Sequence, residues 1–181
     1  MDVGASSYRR YLNGDESAFE AIVKEYRDPL TNFIFGFTGD YQAAEDVAID
    51  VFAYLAANSR YNFKVSLKTY LYMLARSRAI DYLRRRKRRS AVAISELDPY
   101  LSDNVTPESE FLADERKRAV HNAMSRLPEK MRTAIYLVYF ENLSYSDAAR
   151  VMKLSKKQID NLLYRAKAEL RSIIGEDFTE I

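Results

Sequence analysis

The chain has no cysteine and one histidine, and glycine and proline contribute only 5 and 4 of its 181 residues. Without cysteine there are no disulfides, thiolate metal sites or cysteine nucleophiles, and His121 has no second imidazole with which to build a zinc site or a catalytic triad. Glycine and proline together average about 12% of residues in ordinary proteins, so tight turns are few here, which disfavours sandwiches, barrels and glycine-rich nucleotide-binding folds. No run of 18 apolar residues occurs, and the opening MDVGASSYRRYLNGDE has neither the apolar core nor the basic flank of a secretory leader. A cytoplasmic protein with no membrane insertion is expected, and neither a cofactor nor a catalytic site of its own.

What is present is charge, and it is segregated. The formal net charge is only +2, yet residues 1–50 carry −6, residues 51–89 carry +10, residues 90–115 carry −7 and residues 116–181 carry +5. Two basic blocks separated by an acidic one point to two polyanion-binding surfaces joined by a segment that does not bind the polyanion.

The apolar residues recur with helical period almost throughout. Phe19, Ile22, Val23 and Tyr26 form one stripe behind Asp15, a candidate N-cap. Pro29 then allows either a second helix or a kink before Leu30, Phe33, Ile34 and Phe37, and Gly39-Asp40 closes the pair. YQAAEDVAIDVFAYLAAN makes an amphipathic helix with Glu45, Asp46 and Asp50 on its flank. After the polar loop NSRYNFKV, a helix capped by Ser66 should bury Leu67, Tyr70, Leu71, Leu74, Ala75 and Leu83, and its end holds the run RRRKRR at 84–89. Residues 90–107 lack a sustained period and read as an acidic linker. The pattern resumes from Glu108 through Phe111, Leu112, Ala119, Val120, Ala123, Met124 and Leu127, and again from Pro128 through Met131, Ala134, Ile135, Leu137, Val138 and Tyr139.

The last 40 residues are the most informative. Ser144 with Asp147 opens the short helix YSDAARVM, Lys153-Leu154 turn the chain, and Ser155 with Gln158 forms a Ser-x-x-Gln capping box before a longer helix. In that helix Ile159, Leu163, Ala166, Leu170 and Ile173 share one face, and Lys156, Lys157, Asp160, Asn161, Tyr164 and Arg165 share the other. A short helix, a three-residue turn and a basic-ended helix describe a helix-turn-helix, whose second helix presents backbone N–H groups and side chains to a major groove. In the first basic block Arg76 and Arg78 precede the run at 84–89, with Tyr61, Phe63, Tyr70, Tyr72 and Tyr82 interleaved. Cations for phosphate and aromatic faces for unstacked bases suit single-strand or melted-duplex binding. The acidic trio has no facing His, glycine loop or second acidic cluster, so protein docking fits it better than metal binding.

Together the stretches AEDVAIDVFAYL at 44–55, SLKTYLYMLARSRAIDYLRRRKRR at 66–89 and LPEKMRTAIYLVYFENLSYSDAARVMKLSKKQIDNLLYRAKAELR at 127–171 resemble the hallmarks of extracytoplasmic-function sigma factors, small bacterial initiation factors of the sigma-70 superfamily. The resemblance implies an all-α chain of two small modules joined by a flexible acidic linker. These would be a tail at 1–14, a sigma-2 module at 15–89, the linker at 90–107, a sigma-4 module at 108–175 and a tail at 176–181. It implies core RNA polymerase (beta-prime clamp and beta flap), promoter DNA and an anti-sigma factor as partners. Glu45, Asp46, Asp50, Phe52 and Leu55 would dock on the clamp. Asn62, Phe63, Lys64, Lys68, Tyr70, Arg76, Arg84 and Arg85 would engage the minus-ten element, and Ser155, Lys156, Lys157, Gln158, Asn161 and Arg165 the minus-thirty-five element.

The sequence departs from the family pattern at Ile49 for glutamine, Tyr70 for tryptophan, Ser77 for asparagine and Asp147 for glutamate. Ile159-Asp160-Asn161-Leu162 replaces Val-Lys-Ser-Arg and loses two cations near the DNA face. The alternatives from other classes are a stand-alone helix-turn-helix regulator, which leaves 44–89 without a role, and an RNA-binding helical protein, which needs no helix-turn-helix.

Overall fold

In the computed structural model, which describes residues 2–93 and 123–174, every regular element among the described residues is helical. The chain divides into two compact units, residues 1–104 and 105–181. Phe111, Leu112, Ala119, Val120, His121, the tail at 176–181 and most of the expected linker lie outside the described residues.

The first unit contains α1 (Val3–Leu12), α2 (Glu16–Thr38), α3 (Tyr41–Ala57) and α4 (Leu67–Ala93). Residues 1–14, expected as a tail, instead hold α1, which packs on α2 and α4 and buries Tyr8 completely. Its apolar signal is weak because the inward positions are mostly small, Gly4 and Ala5 beside Tyr8. Asp15 caps α2 by accepting from the Ala18 N–H, and Asp40 caps α3 by accepting from Ala43. Pro29 sits inside α2, which continues through it as one helix, and Gly39 ends it in the left-handed region at φ 65°. Ile22, Leu30, Ile34, Val51, Leu55, Leu67, Leu71 and Tyr72 fill the core between the helices. Tyr70, Leu74 and Leu83 are half-buried at its margin. The first four residues of the expected linker, 90–93, continue α4.

The second unit contains α5 (Glu129–Ile135), a π-helical turn over Tyr136–Phe140, α6 (Tyr145–Met152) and α7 (Lys156–Ile174). The π-helical turn, unforeseen in the periodicity, is closed by the Glu141 N–H donating to the Tyr136 carbonyl at 3.0 Å. It places Glu141 in the interior and stacks Tyr136 on Phe140 with centroids 5.5 Å apart. Burial, with Glu141 alongside, pushes the Tyr136 hydroxyl well above its ordinary pKa. Ser144 and Asp147 cap α6 as expected. Its far end is a Schellman turn, with the Leu154 N–H on the Ala149 carbonyl at 2.9 Å and Lys153 at φ 55°. The core is Leu127, Met131, Ala134, Leu137, Ala148, Val151, Ile159, Leu163 and Ala166.

Candidate functional site

The candidate residues fall on three surfaces, two on the first unit and one on the second. On α3 the buried stripe Ala44, Val47, Ala48, Val51 and Leu55 turns Asp46, Ile49 and Asp50 outward. Ile49 is 64% exposed between the two carboxylates, an apolar side chain with an acidic border, which the sequence marked only as a departure from the family's usual glutamine. Glu45 is half-buried and 3.5 Å from Arg27 of α2, so its charge is partly used inside the unit. Phe52 and Leu55, expected among the docking residues, are core: at 6% and 0% exposure they support α3 from beneath and offer no surface.

The second surface joins the loop at 58–66 to α4. Tyr61 is buried and its hydroxyl donates to the Val65 carbonyl at 2.7 Å, which folds the loop on itself. Burial first, and then Asp2, push that hydroxyl up to about 12 against the opposing charge of Arg9. Phe63 has φ 59°, a left-handed conformation that is uncommon for a phenylalanine, and its ring lies 4.6 Å from Tyr61. Asn62 and Lys64 are exposed at the loop tip, where the Asn62 side chain accepts from the Lys64 N–H. Lys68 and Tyr70 are half-buried at the start of α4, with Tyr70 5.1 Å from Tyr61. Ser66 caps this helix, accepting from the Thr69 N–H at 3.0 Å.

Two expectations for this surface change. Tyr72 is fully buried and packs edge-on against Phe33, so with Tyr61 it belongs to the interior and not to a base-stacking face. Arg76 is half-buried, and its Nε is enclosed without a hydrogen-bond partner. Arg78 lies over the Tyr54 ring at 4.8 Å. Arg84 to Arg89 are all exposed on the last described turns, with Arg84 3.6 Å from Asp81.

The third surface is the outer face of α7. Ser155 accepts from the Gln158 N–H at 3.2 Å and donates its own N–H to Gln158 Oε1 at 2.7 Å, a complete capping box. Lys156, Lys157, Asn161 and Arg165 are exposed along the next two turns, over buried Ile159, Leu163 and Ala166. Tyr164, 78% exposed beside Asn161 and Arg165, was visible on this face in the sequence but not assigned to binding. Asp160 is exposed among them, the one acid on the described first two turns of the helix.

These surfaces fall within two family matches. The family described as Sigma-70 region 2 matches residues 22–89, and Sigma-70, region 4 matches residues 117–170. The RNA polymerase sigma-H factor of Pseudomonas aeruginosa is 35% identical over 170 residues, covering 87% of this chain and 86% of that protein. The chain belongs to the sigma-70 family of RNA polymerase sigma factors, in its extracytoplasmic-function group. Its relatives include the ECF RNA polymerase sigma factor SigM of Bacillus subtilis, 28% identical over 85% of this chain and 93% of that one. The fold is shared with the sigma factor RpoE of Bartonella quintana, solved in complex with the anti-sigma factor NepR, at TM-score 0.69 and 21% identity over 88% of this chain and 98% of that one. In this sigma factor the region 2 match begins inside α2 and ends inside α4, so α1 lies outside both matched spans. The region 4 match takes in α5, the π turn, α6 and most of α7.

Proposed function

We propose that this sigma factor binds core RNA polymerase through the exposed face of α3, with Asp46 and Asp50 steering a basic clamp surface onto Ile49. Rim charges set encounter rate and register, and an apolar residue between them supplies area to bury. The loop at 58–66 then takes an unstacked base of the minus-ten element beside Phe63 and Tyr70. Arg84, Arg85, Lys87, Arg88 and Arg89 hold phosphates, which position the DNA without reading it. The α7 face reads the minus-thirty-five element with Lys157, Gln158, Asn161 and Tyr164, and Arg165 meets phosphate. Exposed Phe140, stacked on Tyr136, is the apolar surface of the second unit suited to the beta flap. The polymerase supplies the chemistry of RNA synthesis and this chain supplies placement and strand opening, in the cytoplasm, under the control of an anti-sigma factor.

One observation carries the reading. A single helical unit exposes an acidic face on α3 and a cationic end on α4, opposite chemistries that suit a protein and a nucleic acid. A stand-alone DNA-binding regulator has no use for the first, and an RNA-binding protein none for a capped recognition helix. Co-purification with core polymerase at moderate salt tests it: a stoichiometric complex is expected, and failure to bind core while still binding duplex DNA would favour the stand-alone regulator.

A further inference from the structure

We propose that α1, which lies outside the family matches, holds the loop at 58–66 in its base-reading conformation, with Arg9 and Asp2 as positioning residues. The inference rests on the proposed role of that loop. It is carried by the way α1 meets the loop at its entry, its apex and its exit.

At the entry, the buried Tyr8 hydroxyl donates to the carbonyl of Leu55 at 3.1 Å, satisfying one of the orphan acceptors in the last turn of α3. At the apex, the Arg9 guanidinium carbon lies 4.6 Å from the centroid of Phe63, and the Tyr8 ring lies 6.2 Å from the same ring. A phenylalanine at positive φ persists only where its surroundings hold it there. Here the holders are Tyr61 from within the loop and Tyr8 and Arg9 from α1. At the exit, Asp2 serves two helices at once: Oδ1 accepts from the Ala5 N–H at 3.2 Å, and Oδ2 accepts from the Leu67 N–H at 2.8 Å. The approach is close enough that a Cβ on Gly4 would stand 3.1 Å from Leu67 Cβ and 3.2 Å from the Tyr26 hydroxyl. A helix of ten residues and its Asp2 cap thus meet the loop at both of its ends.

The consequence is selectivity that depends on residues placed away from the base. Releasing Arg9 frees the Phe63 ring, and releasing Asp2 loosens the loop exit. Either widens the set of bases the loop accepts without touching α3 or α7. A direct phosphate contact by Arg9 would act differently, weakening all sequences equally.

The test uses the full chain with core polymerase on duplexes randomised in the downstream element, scoring the ratio of open complexes on the preferred base to those on the next best. Arg9→Ala should lower that ratio about two- to five-fold, the range set by an exposed cation–π contact, and Arg9→Lys, which keeps a cation over the ring, should recover it. Asp2→Asn, which leaves one acceptor for two donors, and Gly4→Ala, which pushes α1 away from Leu67, should lower it as well. Core affinity and upstream preference should not move. If Arg9→Ala and Asp2→Asn leave the ratio intact while Phe63→Ala destroys it, α1 has no positioning role. If Phe63→Ala and Asn62→Ala leave it intact too, the loop does not read the base and both statements fall.

Discussion

Arg86 donates from Nη1 to the carbonyl oxygen of Thr38 at 3.3 Å, so a member of the basic run closes the C-terminal end of α2. The six cations at 84–89 therefore do not share one task. A basic side chain on a terminal carbonyl satisfies an orphan acceptor and the helix dipole together.

Arg86→Ala should lower the unfolding free energy by about 0.5–1.5 kcal/mol, the usual worth of one hydrogen bond. Arg85→Ala should leave stability within about 0.5 kcal/mol. It should instead reduce the log–log salt slope of promoter binding by about 0.7–0.9, one phosphate contact. Urea unfolding and a salt titration separate the two. An Arg86→Ala protein of wild-type stability would mean that the bond to Thr38 contributes nothing.

The capping box divides the α7 residues in the same way. Ser155→Ala should cost about 0.5–2 kcal/mol of stability as a lost N-cap. Gln158→Ala should act on stability and upstream-element binding together, because its Oε1 is committed to the Ser155 N–H and only its amide N–H groups remain for a base. Asn161→Ala, which has no part in the cap, should cost about 1–3 kcal/mol on the preferred duplex and relax preference at one position. Selection of the full chain on a randomised upstream duplex checks this, and an unchanged motif for Asn161→Ala would remove that residue from readout.

Alkaline pH should report the aromatic cluster beneath the loop. The Tyr61 hydroxyl, ordinarily near 10, is pushed up to about 12, and burial raises Tyr8 and Tyr70 as well. A raised folded pKa means that ionisation is easier in the unfolded chain, so this contribution is complete below pH 10 and is lost as pH climbs towards 12. Tyr61→Phe should flatten that decline, and at neutral pH should cost about 1 kcal/mol for the lost bond to Val65. Urea midpoints measured across the alkaline range decide it. An unchanged decline in Tyr61→Phe would place the titrating group elsewhere.

How far the sequence alone revealed this arrangement depended on local period and caps. Asp15, Ser66, Ser144 and the Ser155–Gln158 pair mark helix starts through chemistry confined to three or four residues, and each caps as its spacing predicts. Pro29 left two helices or one kinked helix open; the long α2 persists because packing on α1, α3 and α4 outweighs one missing N–H. The depth of Phe52, Tyr61 and Tyr72 was not legible. Helical phase assigns a face to a residue, whereas burial depends on the helix packed against that face. α1 escaped for a related reason: Gly4 and Ala5 give almost no hydropathy signal, and their value lies in letting backbones approach. The π turn leaves no periodic trace, since it shifts the phase of the helix by a fraction of a turn and buries Glu141 where an apolar residue would be expected.

The most direct test of the account is strand opening by core polymerase on a promoter library, read as permanganate reactivity of unpaired thymines, with the wild-type chain and with Asp46→Lys combined with Asp50→Lys. Both carboxylates are exposed on α3, so the double variant should keep its helicity. The wild-type chain with core should open a defined subset of sequences, neither component should open them alone, and the variant should lose opening together with core binding. Opening by the variant at the wild-type level, or no core-dependent opening by the wild-type chain, would contradict it.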